Sequence, residues 1–142
     1  MQQKPSALIK PTLDTTYHID YSWWERSGED LHTYLLSHLP PEQRERIGQN
    51  TEAHVIDYIN PETGEVTQLG ELDLAIQMAA HQPDFINPHT SVVDSIFRVF
   101  LANGNRPQTP KELGEAIGRA PTVILKTLSG GRVYKGIRPV ET

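Results

Sequence analysis

The clearest rhythm in the chain lies between Ser91 and Leu101. Val92, Ile96, Val99 and Phe100 recur there on one face of a 3.6-residue helix, and Val93, Phe97 and Leu101 widen it. Asn103-Gly104-Asn105 terminates that helix, since Gly and Asn tolerate the left-handed backbone of a helix end. Thr109-Pro110-Lys111-Glu112 starts a second one, with Thr109 as cap, Pro110 in the first helical position and Glu112 at capping-box spacing. Leu113, Ala116 and Ile117 are its predicted buried positions, and Gly118-Arg119-Ala120 breaks it. Pro121 opens a third helix, which holds Ile124, Leu125 and Leu128 and ends at Gly130-Gly131. Val133 to Val140 alternates enough to form a short strand.

Upstream the pattern is more mixed. Residues 1–13 are punctuated by proline and read as an extended arm. Thr15 to Trp24, TTYHIDYSWW, is rich in β-branched and aromatic residues and predicts a strand. Leu31, Leu35, Leu36 and Leu39 fall at i, i+4, i+5 and i+8, which predicts a helix over Glu29 to Leu39. Ser27 is its predicted N-cap, with Glu29 and Asp30 in the first turn. Pro40-Pro41 stops that helix, and Pro41 opens a short one through Ile47. His54 to Leu69 reads as a β-hairpin turning through Asn60-Pro61-Glu62-Thr63-Gly64, with Pro61 at the first corner and Gly64 at positive φ. Glu71 to His81 is helical, its apolar side made of Leu72, Leu74, Ala75, Met78 and Ala79. Gln82 to Pro88 is a linker. The predicted fold class is α+β. Residues 1–88 form a part with a hairpin and helices, and residues 89–142 form a three-helix part.

Charge sharpens this division. Residues 1–90 carry five Lys/Arg against fourteen Asp/Glu, a net −9, whereas residues 91–142 carry eight against four, a net +4. Between Arg106 and Arg138 the balance is seven basic to two acidic residues. Such asymmetry points to separate surfaces with separate partners. With no cysteine among the 142 residues, disulfides, thiolate chemistry and Cys-type zinc sites are excluded. No apolar run approaches the roughly 20 residues of a membrane span. The start MQQKPSALIKPTL lacks the apolar stretch of a secretory signal, so a cytoplasmic location and no membrane contact are expected.

The segment TPKELGEAIGRAPTVILKTLSGGRVYKGIRPV, Thr109 to Val140, resembles the winged helix-turn-helix superfamily of DNA-binding domains. Leu113 and Gly114 stand where that family has an apolar and a small anchor in its first helix. Gly118 stands at the turn, Ala120-Pro121-Thr122 at the start of the recognition helix, and Ile124 and Leu128 at its core-facing anchors. The helix from Ser91 would complete a three-helix core, so the resemblance covers about residues 91–140. It implies that the Pro121 helix lies in the major groove while basic groups hold phosphates. Arg119, Thr122, Lys126 and Ser129 are then the candidates on or beside the recognition helix, and Arg132, Lys135 and Arg138 the candidate backbone contacts. Leu125 and Val123 occupy part of the face where polar donors are usual. The wing is short, since one strand alone follows the helix, and a second must come from Asn105 to Gln108 or from another subunit. The alternative partner is a protein met through the same helix-turn-helix scaffold within a larger assembly.

Other constellations are weaker. Asp14, His18, Asp20, His32 and His38 contain no HxH or HxxxH pair, and surface histidines explain them more simply than a metal site. Tyr17, Tyr21, Trp23 and Trp24 are core material. Two adjacent tryptophans cannot both face inward on a strand, so Trp23 or Trp24, together with Leu125, is expected at a dimer or domain interface. No GxSxG, Walker-type loop or GxGxxG is present, and the carboxylates sit at turns and helix starts. The sequence therefore predicts no enzyme and no cofactor. It predicts a DNA-binding, transcription-associated protein or a protein-interaction module, with homodimerisation open.

Overall fold

The computed structural model describes residues 10–49, 55–60 and 62–141. In chain order the elements are β1 (Tyr17–Ile19), α1 (Tyr21–Ser27), α2 (Leu31–Leu36), α3 (Pro41–Gln49), β2 (Val55–Ile59), β3 (Val66–Gly70), α4 (Glu71–Ala80), α5 (Val92–Ala102), α6 (Pro110–Ile117), α7 (Pro121–Leu128) and β4 (Ile137–Pro139). The mixture of helices with small antiparallel sheets is α+β. Two compact units emerge, residues 10–29 with 86–141 in one and residues 30–85 in the other. This differs from the boundary expected at 88/89. The linker end is close, but residues 10–29 belong with the C-terminal helices because β1 and β4 are hydrogen-bonded to each other.

In the discontinuous unit, α5, α6 and α7 surround one core. Ile96, Phe97 and Phe100 from α5, Leu113 from α6 and Ile124 from α7 are almost wholly buried, joined by Tyr17, Ile19, Trp24 and Ile137. Ser91 caps α5, its Oγ accepting from Asp94 N at 3.2 Å. α6 begins with a reciprocal capping box: Thr109 Oγ1 accepts from Glu112 N (3.2 Å) and Glu112 Oε1 accepts from Thr109 N (2.9 Å). One expected core position on this helix is not in the core, and two others take its place. Ala116 is exposed, whereas Pro110 and Gly114 are buried. Gly114 lies so close to the chain leaving the helix that a Cβ there would stand 2.5 Å from Arg119 O. Gly118 follows with φ 72°, and Arg119 N donates back to Gly114 O at 3.0 Å. Two glycines thus make the tight α6–α7 bend, one by lacking bulk and one by its left-handed backbone.

The sheet of this unit is built around β1. On one side β4 pairs antiparallel, with Tyr17 opposite Pro139, His18 opposite Arg138 and Ile19 opposite Ile137. On the other, Tyr17 and Gln108 exchange both backbone hydrogen bonds (2.8 and 3.0 Å). Beyond them the Asn105 side chain takes the place of a strand. Its Oδ1 accepts from Ile19 N at 2.8 Å and its Nδ2 donates to Ile19 O at 2.9 Å. The second strand awaited from Asn105 to Gln108 or another subunit is therefore β1, from the chain's own N-terminal part. The short strand expected over Val133 to Val140 is shorter still, reduced to β4, because Lys135 (φ 54°) and Gly136 (φ 75°) make a tight turn closed by Ile137 N donating to Tyr134 O at 3.0 Å.

The strand expected over Thr15 to Trp24 stops at Ile19. Asp20 caps a helix instead, its carboxylate accepting from Ser22 N (3.1 Å) and Ser22 Oγ (2.6 Å). Both tryptophans therefore lie on α1. Gly28, at φ 79°, ends that helix, so Ser27 is its last residue and not a cap, and Asp30 caps α2 through Thr33 N.

In the 30–85 unit, β2 and β3 form the expected hairpin, with Val55 opposite Gly70 through Ile59 opposite Val66. Asn60 Oδ1 accepts from Glu62 N at 2.8 Å and Gly64 has φ 73°. His54 and Pro61, named in the sequence reading, lie outside the described residues, as does most of the expected arm. α4 buries Ile76 and leaves the expected core residue Met78 exposed. Arg46 of α3 pairs with Glu71 in the first turn of α4.

Gly114→Ala is expected to lower stability by at least about 2 kcal/mol, because the bend must open to admit the methyl. Asn105→Ala should lose about 1–3 kcal/mol through the stranded Ile19 backbone groups. Urea melts check both, and wild-type midpoints would contradict the packing described.

Candidate nucleic-acid interface

α7 turns Ile124 and Leu128 inward and presents Thr122 and Lys126 outward, with Ser129 on the same side at its C-cap. These three are spaced i, i+4 and i+7, one stripe of a helix. Arg119, exposed on the bend, precedes Thr122 by three residues. Val123 flanks the stripe and is 44% exposed, while Leu125, expected at an interface, is half-buried. Thr127 is turned to its own helix, its Oγ1 donating to Val123 O at 2.8 Å. Exposed Gly130 and Gly131 lead to Arg132, whose guanidinium stands 5.4 Å from the Tyr134 ring centroid.

The seven candidate contacts divide into two groups. Arg119, Lys126 and Arg132 make no ion pair among the described residues, and with Thr122 and Ser129 they are exposed. Lys135 and Arg138 are engaged. Lys135 Nζ donates to Glu29 Oε1 at 3.1 Å and lies 6.0 Å from a Trp24 ring centroid. Arg138 Nη1 donates to Asp20 Oδ2 at 2.9 Å, and its Nη2 is 3.9 Å from Glu141. Lys111 is likewise paired with Asp14 at 2.9 Å. Acidic residues of the N-terminal segment thus neutralise much of the positive stretch that the sequence assigned to phosphate. No sequence signal could have shown this, because the partners lie about a hundred positions apart.

Trp24, expected at an interface, is buried, meeting Phe97 edge-on at 6.3 Å between centroids. It also lies under the Lys135–Gly136 turn, where a Cβ on Gly136 would come within 2.9 Å of the indole Nε1. Trp23 is half-buried and packs edge-on against Trp24 at 5.2 Å.

Asp20 is a hub that the sequence reading missed. It caps α1, pairs with Arg138 and lies 3.6 Å from Arg26, whose Nη1 donates to Ser22 Oγ at 3.0 Å. An open cleft of about 480 Å³ is lined by this group with His18, Pro139, Val140 and Glu141. The hydrogen bond from Ser22, and then Arg138, hold the Asp20 carboxyl below its ordinary 3.8. The opposing basic and acidic groups leave the cleft nearly neutral. Burial pushes the Tyr17 hydroxyl above its ordinary 10.0. Among the described residues no three His, Cys, Asp or Glu gather to hold a metal, and no helix is long and apolar enough to cross a membrane.

A depressed folded-state carboxyl stabilises the fold above its unfolded value and loses that contribution as pH falls through the lower folded value. Asp20→Asn should therefore be less stable than wild type at neutral pH, and the gap in Tm should close as pH drops below 3.8. A gap that stays constant would contradict the pairing. Comparisons with protein-family models, curated proteins and solved structures find no match, so the chemistry of this surface is what bears on function.

Proposed function

We propose that the protein binds duplex DNA through α7, as a winged-helix-like helix-turn-helix in the service of transcription. The observation that carries this reading is the set Arg119, Lys126 and Arg132, exposed and without an ion pair among the described residues, on the bend before α7, on α7 and just after it, held by the Gly114–Gly118 bend. Such a helix fits the major groove, with its first residues toward the bases and cations toward phosphate. The lateral order Gln108, β1, β4 supports the winged-helix comparison, with β1 supplying the strand beside β4. Thr122 and Ser129 are the polar contacts of the same face. Lys135 and Arg138, already paired, position the turn and β4. Residues 30–85 carry two Lys/Arg against ten Asp/Glu, a net −8, so DNA contact is confined to the other unit.

A second reading, an interaction module for a protein partner or a second copy, is favoured by exposed Val123 beside half-buried Leu125 and by Trp23. Light scattering of the purified chain discriminates. A concentration-dependent dimer lost in Val123→Asp would favour this second reading.

Three phosphate contacts predict that log K falls against log salt with a slope of about −2.7, and that Arg119→Ala, Lys126→Ala or Arg132→Ala each flattens it by about 0.9. Anisotropy titrations with a labelled duplex measure this. Absence of binding at low salt, or affinity indifferent to salt and to these changes, would overturn the proposal.

A further inference from the structure

The outward side of α7 is poor in groups that read bases by paired hydrogen bonds. From Ala120 to Gly130 the sequence APTVILKTLSG has no Asn, Gln, Arg, Asp or Glu. Lys126 can approach a guanine edge, but as a point charge without the fork geometry of arginine. What the first turn offers is carbon. Thr122 and Val123 are both exposed, and they occupy the N-terminal end of the helix, the part that meets base edges when such a helix enters the major groove. In that groove a methyl on pyrimidine C5 distinguishes thymine, and threonine or small apolar side chains are its natural contacts.

We infer that Thr122 and Val123 form a thymine-methyl sensor, so that the protein prefers duplexes presenting C5-methyl groups and treats 5-methylcytosine as it treats thymine. This rests on the DNA-binding reading above. The three cations fix the helix over the groove without regard to sequence, and the two methyl-bearing side chains supply the discrimination.

The test uses the full chain in anisotropy titrations against four duplexes of equal length. Two are an A·T-rich duplex and the same duplex with deoxyuridine for every thymidine. The others are a G·C-rich duplex with and without 5-methylcytosine. Removing the thymine methyls should weaken binding about fourfold for each methyl contacted, and methylating cytosine should strengthen it by a similar factor. The double variant Thr122→Ser, Val123→Ser, both at exposed positions, should erase these differences while keeping the slope against salt. Salt-dependent binding that ignores the methyl in both pairs would overturn the inference and leave the proposed function standing. A methyl preference that survives in the double variant would also overturn it, by assigning the contact to other residues. Failure to bind any of the four duplexes would remove the DNA-binding reading itself.

Discussion

β1 has only three residues, too few to be stable as a strand unless both of its edges are occupied. The backbone of Ile19 meets the Asn105 amide on one side and faces Ile137 of β4 on the other, and Tyr17 is shared in the same way between Gln108 and Pro139. This double attachment ties the α5–α6 loop to the C-terminal strand. Tyr17 and Ile19 then sink into the core made by α5, α6 and α7. The position of α7, and so of the cations beside it, follows from a strand supplied by the opposite end of the chain.

Where structure is decided locally, the sequence was readable. The capping box at Thr109, the glycine bend at Gly118 and the hairpin turn at Gly64 each depend on residues within a few positions, and each occurs at its expected place. The segment after Ile19 was misread for a local reason too. Its aromatic and β-branched composition favours a strand, but one carboxylate at Asp20, bonded to Ser22, starts a helix. Packing was harder to read than periodicity. Met78 fits the helical stripe yet is exposed, and Gly114 has no side chain to signal burial yet is buried by the bend it permits.

What the sequence could not show was long-range pairing. The division between acidic and basic halves is real as arithmetic. It suggests a broad positive surface, whereas Glu29, Asp20 and Asp14 draw Lys135, Arg138 and Lys111 into structural pairs. The positive character left around α7 is narrower: Arg119 on the bend before it, Lys126 on it and Arg132 after it. Conversely, the unit of residues 30–85 becomes more uniformly acidic once residues 10–29 are assigned elsewhere, at two basic to ten acidic residues.

The pairing of β1 with β4 also orders events during synthesis. Residues 17–19 leave the ribosome well over a hundred residues before their partners at 137–139, whereas every contact within residues 30–85 is closed by the time Phe85 emerges. The acidic unit can therefore mature on the nascent chain. The unit bearing α7 must hold an unpaired, aromatic-rich segment open until residues 137–139 have been made, and so it is the slower to assemble and the more exposed to aggregation.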